Sequence, residues 1–353
     1  MSQFSFSVIS PSPCDWAEIE SCVDATVFHT RSWDAYLSSL GKKSIVIAIS
    51  GKEGSRAGFF IGTKRWLGIR MIGSPAGGSG TFVQGLCLKN EIGLEERIEI
   101  YQDLVAFCFK HHLAGYIQIS DWRLMNVEKD MEARMTWSMP LLDQLGIFHS
   151  LRISFFIDTR PSEEELWDHL KYKSCKYPIH KAEKMGLYVK QVYNEADITA
   201  FVDTLSELVS DVSRRKKVKR HVHHDKKHLL ALCKALFPDR ILMLQVIGKA
   251  DDGEQHVMAS SIFCVGTAAS TYFSGASKEI FMKYCPNELM VWEALKILHQ
   301  RGAGDLILGD VAHYKKKFGP LYGYLPMMVF SKYSFLKGIR GRLKQLYLKL
   351  RNR

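Results

Sequence analysis

Tyr314, Lys315, Lys316, Lys317, Phe318 and Gly319 put three ammonium groups between two aromatic rings, with Asp310 just upstream. Such a cluster suits a phosphate-bearing or carbonyl-bearing ligand, with the aromatics anchored in the core and the ammonium groups pointing outward. A second cationic block comprises Arg214, Arg215, Lys216, Lys217, Lys219 and Arg220, extended by Lys226 and Lys227. His221, His223, His224 and His228 are interspersed with it. His224 and His228 stand one helical turn apart, a spacing that can hold a metal, but the surrounding cations oppose a further cation. No metal is expected there; a phosphate clamp that titrates near neutrality is. The Gly-rich segment 74–80 lacks the Gly-Lys-Ser/Thr ending of a phosphate loop and reads as a surface turn. The eight cysteines form no Cys-x-x-Cys pair, and several lie in apolar runs, as expected of free buried thiols.

These groups need elements to hold them. Residues 287–301 have helical spacing and run through Gly302-Ala303-Gly304 into a short apolar strand, 306–308, and the Gly309-Asp310 turn. Strands are predicted before that helix over 240–247, 257–265 and 269–275. The first half shows the same order. Strands over 44–49, 57–64 and 69–72 precede a helix over 95–112 and a strand over 116–119, so the pattern suggests a duplicated meander, helix and strand. A strand over 4–9 and a helix over 32–40, with Ser32 as its cap, come before them. The middle is predicted to be helical: 162–170 capped by Ser162, a basic helix over 172–186 in which Pro178 must sit in the first turn or cause a kink, and helices over 196–212 and 223–236. The organisation expected is a first domain at 1–150, a second at 151–330 and a basic tail at 331–353.

A chain of 353 residues suits two cores rather than one, and 46% hydrophobic with 24% charged residues excludes wholesale disorder. No apolar run is long enough to span a bilayer, and the N-terminus lacks the pattern of a signal peptide. The expected location is the cytosol. The net charge of +11 points to anionic partners: nucleic acid, a phosphorylated carrier or a membrane surface. In the tail, Phe335, Leu336, Ile339, Leu343, Leu346, Tyr347 and Leu350 form an apolar stripe with basic residues opposite, which fits an interfacial helix at the inner face of the cell membrane.

Three stretches together resemble the double-domain branch of the GNAT superfamily, which includes the Fem-type peptidoglycan bridge aminoacyltransferases and related acetyltransferase domains of cell-envelope polysaccharide loci. They are Phe28-His29-Thr30-Arg31-Ser32-Trp33, the run from Ser174 to Gly186 with its Lys181-Ala182-Glu183-Lys184-Met185-Gly186 ending, and Tyr314-Lys315-x-x-Phe318-Gly319. The resemblance implies an α/β (α+β) fold of two GNAT-like domains side by side, each a mixed, mostly antiparallel sheet flanked by helices. It implies an acyl donor and an amine acceptor meeting in the second domain. Lys315, preceded by Tyr314, falls where the family's lysine touches substrate, and Phe318 completes that motif. Arg214 or Arg215 is nearest the arginine that binds acceptor phosphate in some members, and Arg31 and Trp33 belong to the first stretch.

The implied chemistry is acyl transfer to nitrogen, which needs a stabilised oxyanion and a well-placed donor carbonyl. The released proton has three candidate destinations: Asp310, Tyr272 or water. No Gln/Arg-x-x-Gly-x-Gly/Ala loop follows a second-half strand. Acyl-CoA (acetyl-CoA) is the first donor considered and aminoacyl-tRNA the second. The acceptor expected is an amino group of a phosphorylated sugar or peptide precursor of the cell envelope. A non-catalytic nucleic-acid- or membrane-binding protein built on a transferase fold is the alternative from another class.

Overall fold

The computed structural model describes residues 3–51, 53–66, 68–75, 83–128, 139–215, 217, 225–310 and 312–333. Most of the segment 74–80, the histidines His221, His223 and His224, the residues Lys216, Lys219 and Arg220 of the basic block and the tail from 334 onward lie outside the described residues. In chain order the elements are β1 (Ser5–Ile9), α1 (Pro13–Glu20), α2 (Arg31–Ser39), β2 (Lys43–Ser50), β3 (Arg56–Trp66), β4 (Arg70–Ser74), β5 (Gly85–Leu88), α3 (Leu94–Lys110), β6 (Tyr116–Ile119) and β7 (Asn126–Glu128). There follow α4 (Met139–Gln144), β8 (Phe148–Asp158), α5 (Glu163–His169), α6 (Tyr177–Lys184), β9 (Tyr188–Gln191), α7 (Ile198–Arg215), α8 (Lys226–Leu236), β10 (Ile241–Lys249), β11 (Gln255–Cys264), β12 (Ala269–Ser277), α9 (Pro286–Gln300), β13 (Asp305–Asp310) and β14 (Leu321–Ser331).

Helix starts follow their caps. Ser162 and Glu165 form a capping box that opens α5 where expected. The cap of α2 is Thr30 rather than Ser32: its hydroxyl accepts from the Trp33 backbone N–H at 3.2 Å, so Arg31 and Ser32 already lie in the first turn. The helix expected over 172–186 is broken into one π-type turn, Tyr172–Lys176, and α6. Pro178 sits in the first turn of α6, where its missing N–H leaves no hydrogen bond unmade.

All the described strands join one sheet in the order β1-β2-β3-β4-β6-β14-β8-β13-β12-β11-β10-β9, with β5 added to β3 and β7 to β14. The duplicated order is present. β2-β3-β4 form an antiparallel meander, α3 crosses over, and β6 returns parallel to β4. β10-β11-β12 repeat the meander, α9 crosses over, and β13 returns parallel to β12.

The centre of the sheet joins the halves. β14, the last described strand, pairs antiparallel with β6 of the first half on one side and with β8 on the other. β8, which spans residue 150, pairs with β13 of the second half. The first half is thus completed by a strand that is remote in sequence from the rest of it. α3 packs on the first-half strands around Tyr101, Leu104 and Cys108. α9 and α6 pack on one face of the second half, through Trp292, Leu295 and Ile179. Its other face is covered by α7 and α8, whose Phe201, Leu205 and Leu232 share a core with Phe28 and Trp33.

Candidate active site

β12 and β13 pair in parallel over only three residues of each strand, Ala269 to Thr271 against Asp305 to Ile307. Both strands then lose register with their outer neighbours. β12 has an irregularity opposite Ile262/Phe263, and β13 has one between Ile307 and Gly309 against β8. A bulge bends the strand that carries it, and the two strands part. The gap borders a cleft of about 260 Å³ whose lining includes Tyr272, Gly275, Leu308 and Lys315.

The turn His313–Phe318 closes one side of this cleft. Its 3₁₀ geometry, with three residues per turn, sets Lys315 and Phe318 on the same face. Phe318 is buried in the core as expected, but Lys315 is buried with it, at 9% exposure, whereas Tyr314 is 48% exposed. The outward-pointing ammonium groups of the sequence reading are therefore corrected. Lys315 Nζ donates to the carbonyl of Leu308 at 2.7 Å, on the part of β13 that β12 has left. Its ammonium lies 5.9 Å from the Tyr272 ring centre and 5.6 Å from that of Tyr314. Lys317 also turns inward and pairs with Glu288 in the first turn of α9.

Tyr272 comes from the parted segment of β12. Burial pushes its phenol above the ordinary value, with the Ser261 hydroxyl offsetting part of the effect. At neutral pH it is therefore a hydrogen-bond donor, which argues against the proton-accepting role considered for it. A Cβ on Gly275 would lie 2.0 Å from the Tyr272 hydroxyl and 2.3 Å from Ser261 Oγ, so glycine alone leaves room for this pair. Asn287 Nδ2 donates to Ser277 Oγ at 3.0 Å and ties the end of β12 to the start of α9.

Of the two arginines proposed from sequence, Arg215 lines the cleft and pairs with Glu279 at 3.1 Å. Arg214 is 81% exposed, pairs with Asp211 at 2.9 Å and does not line the cleft. Arg31 and Trp33 are also absent from its lining. Arg31 is an exposed helix-start residue whose N–H is accepted by Glu20, and Trp33 is buried edge-on against Phe28 at 4.7 Å. Trp33 thus packs the core, and neither residue borders this cleft. Asp310 closes β13 opposite Ser154, and its side chain lies outside the described residues. Glu288, Asn287, Ser261 and Gly275 escaped the sequence reading. Only Glu288, an acid in the first turn of a helix, carried a recognisable signal.

Among the described residues the first half shows no such gap, and a buried ion cluster lies beside the ends of its parallel pair. β4 stops at Ser74, and β5 takes over the pairing with β3. Arg97 of α3 reaches in to Asp121 at 2.6 Å and Asp24 at 2.9 Å, Arg123 joins Asp24 at 2.6 Å, and the Tyr101 hydroxyl donates to Asp121. Burial alone would discharge Arg97, but Asp121, Tyr101 and Asp24 outweigh it and hold its pKa above the ordinary value.

No protein-family model and no curated protein sequence matches the chain. Among solved structures, FemX is similar over 92% of this chain and 97% of its own, with a TM-score of 0.68 at 14% identity. L-PGS from Bacillus licheniformis is similar over 91% and 92%, with a TM-score of 0.45 at 11% identity. The myristoyl-CoA-bound N-myristoyltransferase of Saccharomyces cerevisiae is similar over 94% and 83%, with a TM-score of 0.42 at 10% identity. The chain therefore has the fold of FemX.

Proposed function

We propose that this protein is an N-acyltransferase that moves an activated acyl group onto an amino group of a cell-envelope sugar or peptide precursor. The observation that carries this reading is the parting of β12 from β13 with Lys315 in the gap. In this reading, backbone N–H groups of the parted strands supply fixed dipoles to a donor carbonyl, and the Lys315 cation beside them stabilises the oxyanion that forms as nitrogen attacks. The bond from the carbonyl carbon to the leaving sulfur or oxygen then breaks. The Tyr272 phenol is suited to donate a hydrogen bond to that leaving atom, and the proton lost by the amine departs through water or Asp310. Arg215, at the cleft wall, is the candidate for the acceptor's phosphate.

Acyl-CoA is the first donor in this reading. One observation favours aminoacyl-tRNA instead. The N-terminus of α9, where helix N–H groups would meet a pyrophosphate, already holds the Glu288 carboxylate and its Lys317 partner. An ester at an RNA 3′ end needs no pyrophosphate there. The test incubates the purified chain with labelled acetyl-CoA or labelled aminoacyl-tRNA and amino-bearing envelope precursors, beside Lys315→Ala. Transfer from one donor that is lost in the variant supports the proposal. Transfer from neither donor, or an unchanged rate in a folded Lys315→Ala protein, overturns it.

A further inference from the structure

Cations and exposed aromatic rings gather at one end of the first-half sheet. Lys43 and Lys64 stand directly opposite each other on β2 and β3, and Trp66 stands opposite Arg70 across the β3–β4 turn. Like charges set directly across a strand pair are destabilising. Burial lowers the Lys42 pKa, and Arg65 lowers it further. Among the described residues, Lys42, Lys43, Lys64, Arg65, Arg70 and Lys332 have no carboxylate partner. Some exposed cations elsewhere, such as Lys89, Arg160, Arg214 and Lys283, are paired with one, and others are not; what sets this edge apart is that its cations stand together beside exposed aromatic rings. Arg70 and Lys332 donate to the carbonyls of His112 and Phe109 at the end of α3. The other four have no such structural role.

Trp66 is 67% exposed and Tyr333 42%, and a recess of about 410 Å³ opens between them. We propose that this edge is a docking surface for an anionic lipid bilayer. Trp and Tyr settle at the membrane interface while lysine and arginine meet the headgroups. From Tyr333 the chain enters residues 334–353, whose sequence adds Phe335, Leu336, Ile339, Leu343 and Leu346 among basic residues and no acid. RNA would reward the cations and the aromatics but not this run of aliphatic residues, so a lipid surface fits better. The strand directions add a consequence. β12 and β13 run toward the edge from which β4 and β6 start, so the cleft opens on the same edge as the patch. Four strand spacings, about 19 Å, separate β4 from β13.

Co-sedimentation of the full chain with phosphatidylcholine vesicles containing about 30 mol% phosphatidylglycerol tests the assignment. The comparison variant is Lys43→Gln/Lys64→Gln/Arg65→Gln, whose three changes are on exposed side chains and whose folding is checked by thermal unfolding. The expected result is strong partitioning of wild type to the anionic vesicles, little to neutral ones, and roughly hundredfold weaker partitioning of the variant. Trp66→Ser should weaken binding at constant charge. The assignment is overturned if wild type does not sediment, if the triple variant sediments as wild type does, or if the substitutions abolish binding of a single-stranded RNA while vesicle binding is unchanged.

Discussion

The catalytic role proposed for Lys315 and its bond to the Leu308 carbonyl can be measured separately. Lys315→Ala should lower the transfer rate by about 10²–10³, the usual loss on removing one oxyanion donor. It should cost about 1–3 kcal/mol of stability, because the Leu308 carbonyl loses its partner. Single-turnover rates and a denaturant melt measure the two effects. Gly275→Ala tests the same site from below. Its methyl would displace the Tyr272 hydroxyl and Ser261, with an expected cost of about 1–3 kcal/mol and a fall in rate, measured by the same assays. Away from the cleft, burial pushes His29 down to about 4 from 6.5, so it is neutral in the folded chain where the unfolded chain would protonate it. Its contribution is whole above pH 6.5 and is lost as pH falls toward 4, a change of about 3 kcal/mol. Unfolding midpoints measured across that window should fall with acid, and less so in His29→Gln.

At the scale of elements, the two helices that follow the meanders have opposite tasks. α3 sends Arg97 into the buried ion cluster of its half, and Arg97→Ala should cost about 3–5 kcal/mol by stranding Asp121 and Asp24, as a denaturant melt would show. α9 keeps its N-terminus at the mouth of an open cleft but occupies it with Glu288. Glu288→Gln should raise affinity for coenzyme A about fivefold, measured by calorimetry, because a helix terminus freed of its own anion favours another. Much of this was legible beforehand. Both meanders, both crossover helices and the Tyr314–Phe318 turn could be read from periodicity, Gly punctuation and aromatic placement. β8 and β14 could not. β14 is apolar without alternation and contains Pro326, which argues against a central strand, yet a register shift beside Met327 accommodates it. The inward turn of Lys315 was hidden too, since its partner is a backbone carbonyl that only the parting of two strands leaves free.

For the molecule as a whole, the interleaving of β8 and β14 sets how far the two halves can stand alone. The two-domain division at residue 150 remains a proposal, and expression of residues 1–150 tests it. Without β14 the β6 edge has no neighbour, and an unpaired edge invites aggregation. The expected product is therefore insoluble, or soluble only when residues 151–353 are supplied in trans. The same interleaving acts on the chain as it is made. β6 must wait for roughly 210 further residues before Ser331 arrives to pair with it. At ordinary elongation rates that wait lasts roughly 10–40 s. Throughout it the nascent chain carries a bare strand from the ribosome, and holding factors that bind exposed strands have that interval in which to act.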